Sequence, residues 1–195
     1  MPWVIVGIVA GLVLLVGGGG AAAYLLLGEP PEPDLEGRPP AAQGREEAGD
    51  ISGVQTFDDL RPDHTEDPVD YPEHPPVGGP HAPEWLNCGI YEDAVPVENA
   101  VHSLEHGAVW ITHDPGLPSE ELERVRDLYT FGDYLIISPE TDLPAPIVAT
   151  AWGKQLILGS AEDERLAEFL RAYVQGPQTR EPGAPCSGMV GDPLA

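Results

Sequence analysis

Apolar residues recur at helical spacing in three parts of this chain, and they run together in four short blocks between those parts. Pro96 and Gly107 bracket a segment containing Asn99 to His106, with Val97, Val101 and Leu104 on one side, which is the spacing of a short helix. Leu122, Val125, Leu128 and Tyr129 share a face after Ser119, and Glu120 and Glu121 suit the positive end of a second helix. Leu166, Phe169, Leu170 and Tyr173 form the stripe of a third, opened by the capping pattern of Ser160 with Asp163 and closed by Gly176-Pro177. The blocks Ala108 to Thr112, Tyr134 to Ser138, Ile147 to Trp152 and Gln155 to Leu158 read as strands, the last two joined in a hairpin through Gly153-Lys154. This order predicts an α+β fold, a small mixed sheet with three helices packed on it.

The chain ahead of these elements has a different texture. From Trp3 to Leu27 no residue is charged, and at about 1.5 Å per residue a helix of that length crosses a hydrocarbon core of roughly 30 Å. Residues 1–27 are therefore expected to form a single transmembrane anchor. The rival is a cleaved signal peptide processed near Ala21-Ala22-Ala23, but no basic residue leads the run and Tyr24-Leu25-Leu26-Leu27 carries it past that site. Gly7 and Gly11 have the spacing that lets two such helices pack closely. Residues 28–53, rich in Pro, Glu, Ala and Gly, are expected to be a disordered acidic tether. Residues 54–190 then form one globular domain, starting with a Pro-interrupted wrap of loops up to His81, and residues 191–195 a tail.

Charge narrows the partners. All 33 acidic and 9 basic side chains follow the apolar run, so the formal charge of −24 belongs to the part beyond it. Such a surface disfavours nucleic acid and gathers cations. No nucleotide-binding glycine loop or G-x-S-x-G elbow is present.

The candidate chemistry lies in the histidines. All 6 fall between His64 and His113. On a helix, His102 and His106 stand one turn apart, so both imidazoles can reach one ion, and Glu98 and Glu105 lie near the same stripe. His74 and His81, in the Pro-Gly-rich loop, are expected to supply further ligands. His64 and His113 are weaker candidates, read first as hydrogen-bonding residues. His102-Ser103-Leu104-Glu105-His106 also fits the H-x-x-E-H pattern of inverted zinc peptidases, in which the glutamate activates water; those enzymes need the motif well inside a long helix, whereas Gly107 follows here at once.

Cys88 and Cys186 are the only cysteines. In an oxidising compartment such a pair is most simply a disulfide closing a long loop. The alternative is Cys88 as a thiolate ligand, which beside imidazoles would favour copper or zinc over hard cations.

Taken together, His74-Pro75-Pro76, Gly79-Pro80-His81, Asn87-Cys88-Gly89-Ile90-Tyr91, Glu98 to Gly107 and Pro182 to Cys186, in this order, resemble the family catalogued as domain of unknown function 3105. The resemblance implies a bacterial protein with one N-terminal membrane helix and an extracytoplasmic domain, and it brings no activity or catalytic residues. Members of that family carry a basic stretch before the helix, and the abrupt Met1-Pro2-Trp3 leads to the expectation of a basic leader upstream. Arg38 and Arg45 by themselves would place the following chain in the cytoplasm. The cysteine pair, the acidic tether and the resemblance outweigh them, so the domain is expected outside the cytoplasm on a single-pass anchor.

The expected function is a membrane-tethered domain that binds copper or zinc through His74, His81, His102 and His106, with Glu105 or Cys88, and without an enzymatic role. The alternatives are an envelope interaction or structural domain and, third, a small zinc hydrolase. The expected partners are the membrane and a metal ion, with no nucleic acid and no particular protein indicated.

Overall fold

In a computed structural model, which describes residues 50–194, the four apolar blocks pair into one sheet that two further short strands extend. The elements in chain order are β1 (Val54–Thr56), β2 (Gly89–Ile90), α1 (Val97–Glu105), β3 (Val109–His113), α2 (Ser119–Arg126), β4 (Leu135–Pro139), β5 (Ile147–Ala151), β6 (Lys154–Leu158) and α3 (Glu164–Tyr173). The α+β architecture with three helices is as expected. The segment Trp3 to Leu27 and nearly all of the expected tether lie outside the described residues. Among the described residues no helix is long and apolar enough to cross a membrane.

The sheet runs β1-β6-β5-β3-β4-β2. β5 and β6 form the expected hairpin, turning through Trp152 and Gly153 because Ala151 pairs with Lys154. β3 lies antiparallel to β5 and parallel to β4, and β2 is parallel to β4 on its other side. Parallel neighbours need crossovers, and α1 and α2 provide them. The path from β2 through α1 to β3 and the path from β3 through α2 to β4 run in opposite directions along the sheet. With one hand for both crossovers, the two helices must lie on opposite faces.

The core is accordingly divided in two. Val109, Ile111, Leu135, Ile137, Ala149 and Leu156 face Val125 of α2 and Leu166, Phe169 and Tyr173 of α3. On the other face Trp110, Ile136 and Trp152 meet Ala100, Val101 and Leu104 of α1, together with Leu86 and the two cysteines. Strands covered on both sides bury every residue, which is why β3 and β5 read as continuous apolar blocks and not as alternating ones.

Several boundaries move, each for a local reason. Ile51, placed in the tether by composition, is buried in the α2/α3 core, so the folded part begins at or before it. Residues 191–194 also pack: Asn87 donates to the Gly191 carbonyl at 2.8 Å, and the Leu194 amide donates to Ile90 at 2.7 Å. Asp163, and not Ser160, caps α3 by accepting from the Arg165 amide. The Ser160 hydroxyl instead donates to Glu121 of α2 at 3.0 Å, linking the two helices on that face. Leu128 and Tyr129, expected on α2, lie just past its end and still pack against the core.

Cys88 and Cys186 are joined in a disulfide, with Cα atoms 5.3 Å apart across 98 residues of sequence. It pins the C-terminal segment beside β2, where the Cys88 amide also donates to the Cys186 carbonyl at 2.7 Å. A loop of that length restricts the unfolded chain strongly. Reduction, or Cys88→Ser with Cys186→Ser, should cost about 4 kcal/mol and lower the melting temperature by roughly 10–15 °C. Calorimetry with and without reductant checks this, and an unchanged melting temperature would refute it.

Candidate metal centre

The polar face of α1, to which the sequence brings a loop carrying His74 and His81, is covered: His102, Glu105 and His106 are 3%, 4% and 2% exposed. Two segments make the cover, a loop ending at His81 and the chain from Gln175 to Cys186.

The loop is held over α1 by backbone pairing. His64 and His81 form a parallel bridge in which the Thr65 amide donates to His81 at 2.8 Å and the His81 amide to Asp63 at 3.0 Å. The Gly153 amide, in the hairpin turn, donates to Val77 at 2.7 Å. Gly78 has φ +139°, and a Cβ there would come within 3.2 Å of the Trp152 ring and 2.9 Å of Leu60. Only glycine lets the backbone lie so close to that tryptophan. His81 is thereby set edge-on to Trp152, fully buried, with ring centroids 5.8 Å apart.

The C-terminal segment is fastened to the end of α1. The amides of Arg180 and Glu181 both donate to the Glu105 carbonyl at 3.1 Å, and the Gln175 amide donates to Gly107 at 2.8 Å. Gly107 has φ +95°, and a side chain there would strike Gln175 and Thr179. The glycine that ends the helix is thus also what admits the covering segment.

Between these covers the imidazoles cluster, with His64, His81 and His102 in mutual contact and His106 joined to them through His102. Ring centroids are 4.9 Å apart for His64 and His81, 4.7 Å for His81 and His102, and 4.6 Å for His102 and His106, with Trp85 5.0 Å from His106. Three of these rings share one arrangement. His81 Nδ1 lies 2.8 Å from the Gly79 carbonyl, His102 Nδ1 2.7 Å from Ala82, and His106 Nδ1 2.7 Å from Pro185. A carbonyl oxygen only accepts, so in each case Nδ1 carries the proton, and the neutral ring is left with a bare lone pair on Nε2. Burial drives the His102 pKa down to about 4 and lowers that of His81, keeping both rings neutral at pH 7.

Two of those Nε2 atoms lie near carboxylate oxygens. His81 Nε2 is 3.0 Å from Glu105 Oε2, close enough for a hydrogen bond but not aligned as one, and it has no other partner. Two acceptors at that distance repel unless a proton or a cation stands between them. Burial pushes the Glu105 carboxyl up to about 7; nearby Glu181 adds to the rise and Arg180 opposes it. His106 Nε2 similarly lies 3.4 Å from Glu181. Ligand atoms of His64, His81, His102 and Glu105 all fall within 4.8 Å of one another, as do those of His102, His106 and Glu181. Tetrahedral zinc with bonds of about 2.0–2.2 Å sets its donors roughly 3.4 Å apart, so small side-chain movements would close either set on an ion.

The sequence-predicted residues divide as follows. His81, His102, Glu105 and His106 come together at the end of α1. His74 does not: it is exposed and bonds through Nε2 to the Thr141 carbonyl at 2.8 Å, outside both donor sets. The Cys88 sulfur is committed to the disulfide and is likewise outside both sets. Glu98, near the same stripe in sequence, accepts from the Val69 amide at 3.2 Å and ties down the covering loop. His113 Nδ1 bonds to Asp114, away from the cluster. In the H-x-x-E-H segment, Glu105 lies against His81 and groups with His64, His81 and His102, while His106 turns to Glu181. Two members of the donor sets stood outside the expected ligands, His64 as a weaker candidate and Glu181 not singled out at all. His64 carries no periodic signal and is recruited only by its bridge to His81. Glu181 is one acid among 33, and its distinguishing mark is that it lies five residues before Cys186.

No curated protein and no solved structure matches this chain. A family model described as "Protein of unknown function (DUF3105)" matches residues 64–188, a span that holds every member of both donor sets and both cysteines. With most of its length covered by that match, the chain belongs to the DUF3105 family.

Proposed function

We propose that this protein is a membrane-tethered, extracytoplasmic domain that binds copper or zinc through His64, His81, His102 and Glu105. The observation that carries the reading is that buried imidazoles, each fixed by a carbonyl on Nδ1 and so left with a free Nε2 lone pair, gather with a carboxylate within 4.8 Å. Metal-ligating histidines are held in this way by their outer partners. His81 leaves a buried Nε2 without a hydrogen bond, as His113 does away from the cluster, but beside His81 a buried carboxylate stands 3.0 Å away and two further imidazoles complete the group. Three imidazoles and a carboxylate suit zinc or copper better than calcium or magnesium. Tethering and placement outside the cytoplasm are supported by the uncharged run from Trp3 to Leu27 and by the disulfide, which belongs in oxidising compartments.

Without metal, a proton on Glu105 can donate to His81 Nε2 and relieve the pair, and binding a cation would release that proton. The pH dependence follows from the signs. The folded pKa values of His81 and His102 are lowered from 6.5, so their contribution to stability is present above about 6.5 and lost as pH falls through the folded values, about 4 for His102. Glu105 has the opposite sign: its folded pKa of about 7 lies above the ordinary 4.5, so its contribution is full below 4.5 and lost as pH rises through 7. A cation removes the second loss by stabilising the ionised carboxylate.

Four measurements test the reading. Elemental analysis and calorimetric titration of the full chain should find one copper or zinc ion bound, and a chain that neither holds nor takes up either metal ends the proposal. His81→Gln and His102→Gln should each weaken binding by more than the roughly 10–100-fold that loss of an outer partner costs, while His74→Gln leaves affinity unchanged. The rise in melting temperature on loading should be larger near pH 8 than near pH 5.5; equal rises would remove Glu105 and the buried imidazoles from the ligand set. For topology, alkaline phosphatase fused after Ala195 should be active in cells that export the chain, and an inactive fusion at normal protein levels places the domain inside.

A further inference from the structure

His102 belongs to both donor sets, and this sharing restricts what the cluster can hold. Its Nδ1 is committed to the Ala82 carbonyl at 2.7 Å, so it has one nitrogen to offer, and one nitrogen serves one ion at a time. On one side stand His64, His81 and Glu105; on the other, His106 and Glu181. His81, His102, Glu105 and His106 are buried, whereas His64 in the first set and Glu181 in the second are exposed. Each set therefore has one solvent-facing donor, and the two share His102.

Resting on the metal-binding reading above, we infer that the cluster is a two-position site for a single copper or zinc ion, which passes between His64/His81/Glu105 and His106/Glu181 by way of His102. The two positions are mechanically joined. The Glu105 carbonyl accepts from the amides of Arg180 and Glu181, so the residue that supplies a carboxylate to one position also anchors the carboxylate of the other. His106 is aimed by the Pro185 carbonyl, next to the disulfide-bonded Cys186, which fixes the second position to the same frame. The two positions differ in chemistry. The first offers three imidazoles and one carboxylate, the second two imidazoles and one carboxylate, leaving room for water or a ligand from a partner molecule. An ion held more loosely at an open, oxygen-richer position is in the state from which it can be handed on. The inferred role is thus transfer of the metal, beyond its storage.

The test uses the full chain and Cu²⁺ alone. Calorimetry should give one ion per chain. Electron paramagnetic resonance below one equivalent should show two overlapping copper signals, the oxygen-richer one with the larger parallel g value. Glu181→Gln should abolish that signal and keep the other; His64→Gln should do the reverse; His102→Gln should lose both. Glu181 and His64 are exposed, so these variants are expected to fold, and unchanged melting temperatures of the stripped proteins check it. Two ions bound at once, or a single signal indifferent to Glu181→Gln, overturns the two-position site while leaving metal binding intact. An unaltered chain that binds neither copper nor zinc overturns both readings.

Discussion

Covering the apolar face of a helix with a sheet is favourable, but covering its polar face as well obliges every buried polar atom to find a partner. α1 is in that position. Ala100, Val101 and Leu104 meet the sheet, while His102, Ser103, Glu105 and His106 are closed over by loops. The backbone of those loops supplies the partners: Leu86 accepts from Ser103, Ala82 from His102 and Pro185 from His106. Because each ring is satisfied on one nitrogen only, the same contacts that make burial tolerable leave a set of inward lone pairs. Folding of the covers and construction of the site are one event.

This arrangement explains the unusual amount of irregular chain in the fold. The Pro-rich wrap before β2 and the segment after α3 add apolar contacts to the core on the α1 face, through residues such as Leu60, Tyr71 and Cys186. They bring carbonyls, glycines that allow close approach at Gly78 and Gly107, and the ends of the disulfide. The sheet and its helices supply rigidity, and the loops supply the donors and their orientation.

What the sequence made legible is what periodicity encodes. α1, the strands β3 to β6 and α3 were all readable within a few residues, since each is long enough for its pattern to stand out. β1 and β2 were not: Val54-Gln55-Thr56 and Gly89-Ile90 are strands only because β6 and β4 offer them partners. The same limit governed the site. His102, Glu105 and His106 are related by helical spacing and could be grouped from the sequence. His81 and His74 share a loop of similar composition, and nothing local says that one pairs with His64 while the other reaches the Thr141 carbonyl. His64 and Glu181 arrive through contacts between distant segments, to which no local pattern points. Spacing distinguishes the two faces of α1 and does not say which segments cover the polar one.

The ends of the sheet bear on how this protein behaves among its own copies. β1 offers three residues at one edge and β2 two at the other, each followed closely by a pair of acids, Asp58-Asp59 and Glu92-Asp93. An exposed strand templates the addition of a foreign strand in proportion to its free, regularly spaced amides and carbonyls, and like charges beside it repel a second copy. These edges are too short to nucleate a continuous ladder and too acidic to be approached by another such edge. The domain can therefore be crowded to high local density without exchanging strands.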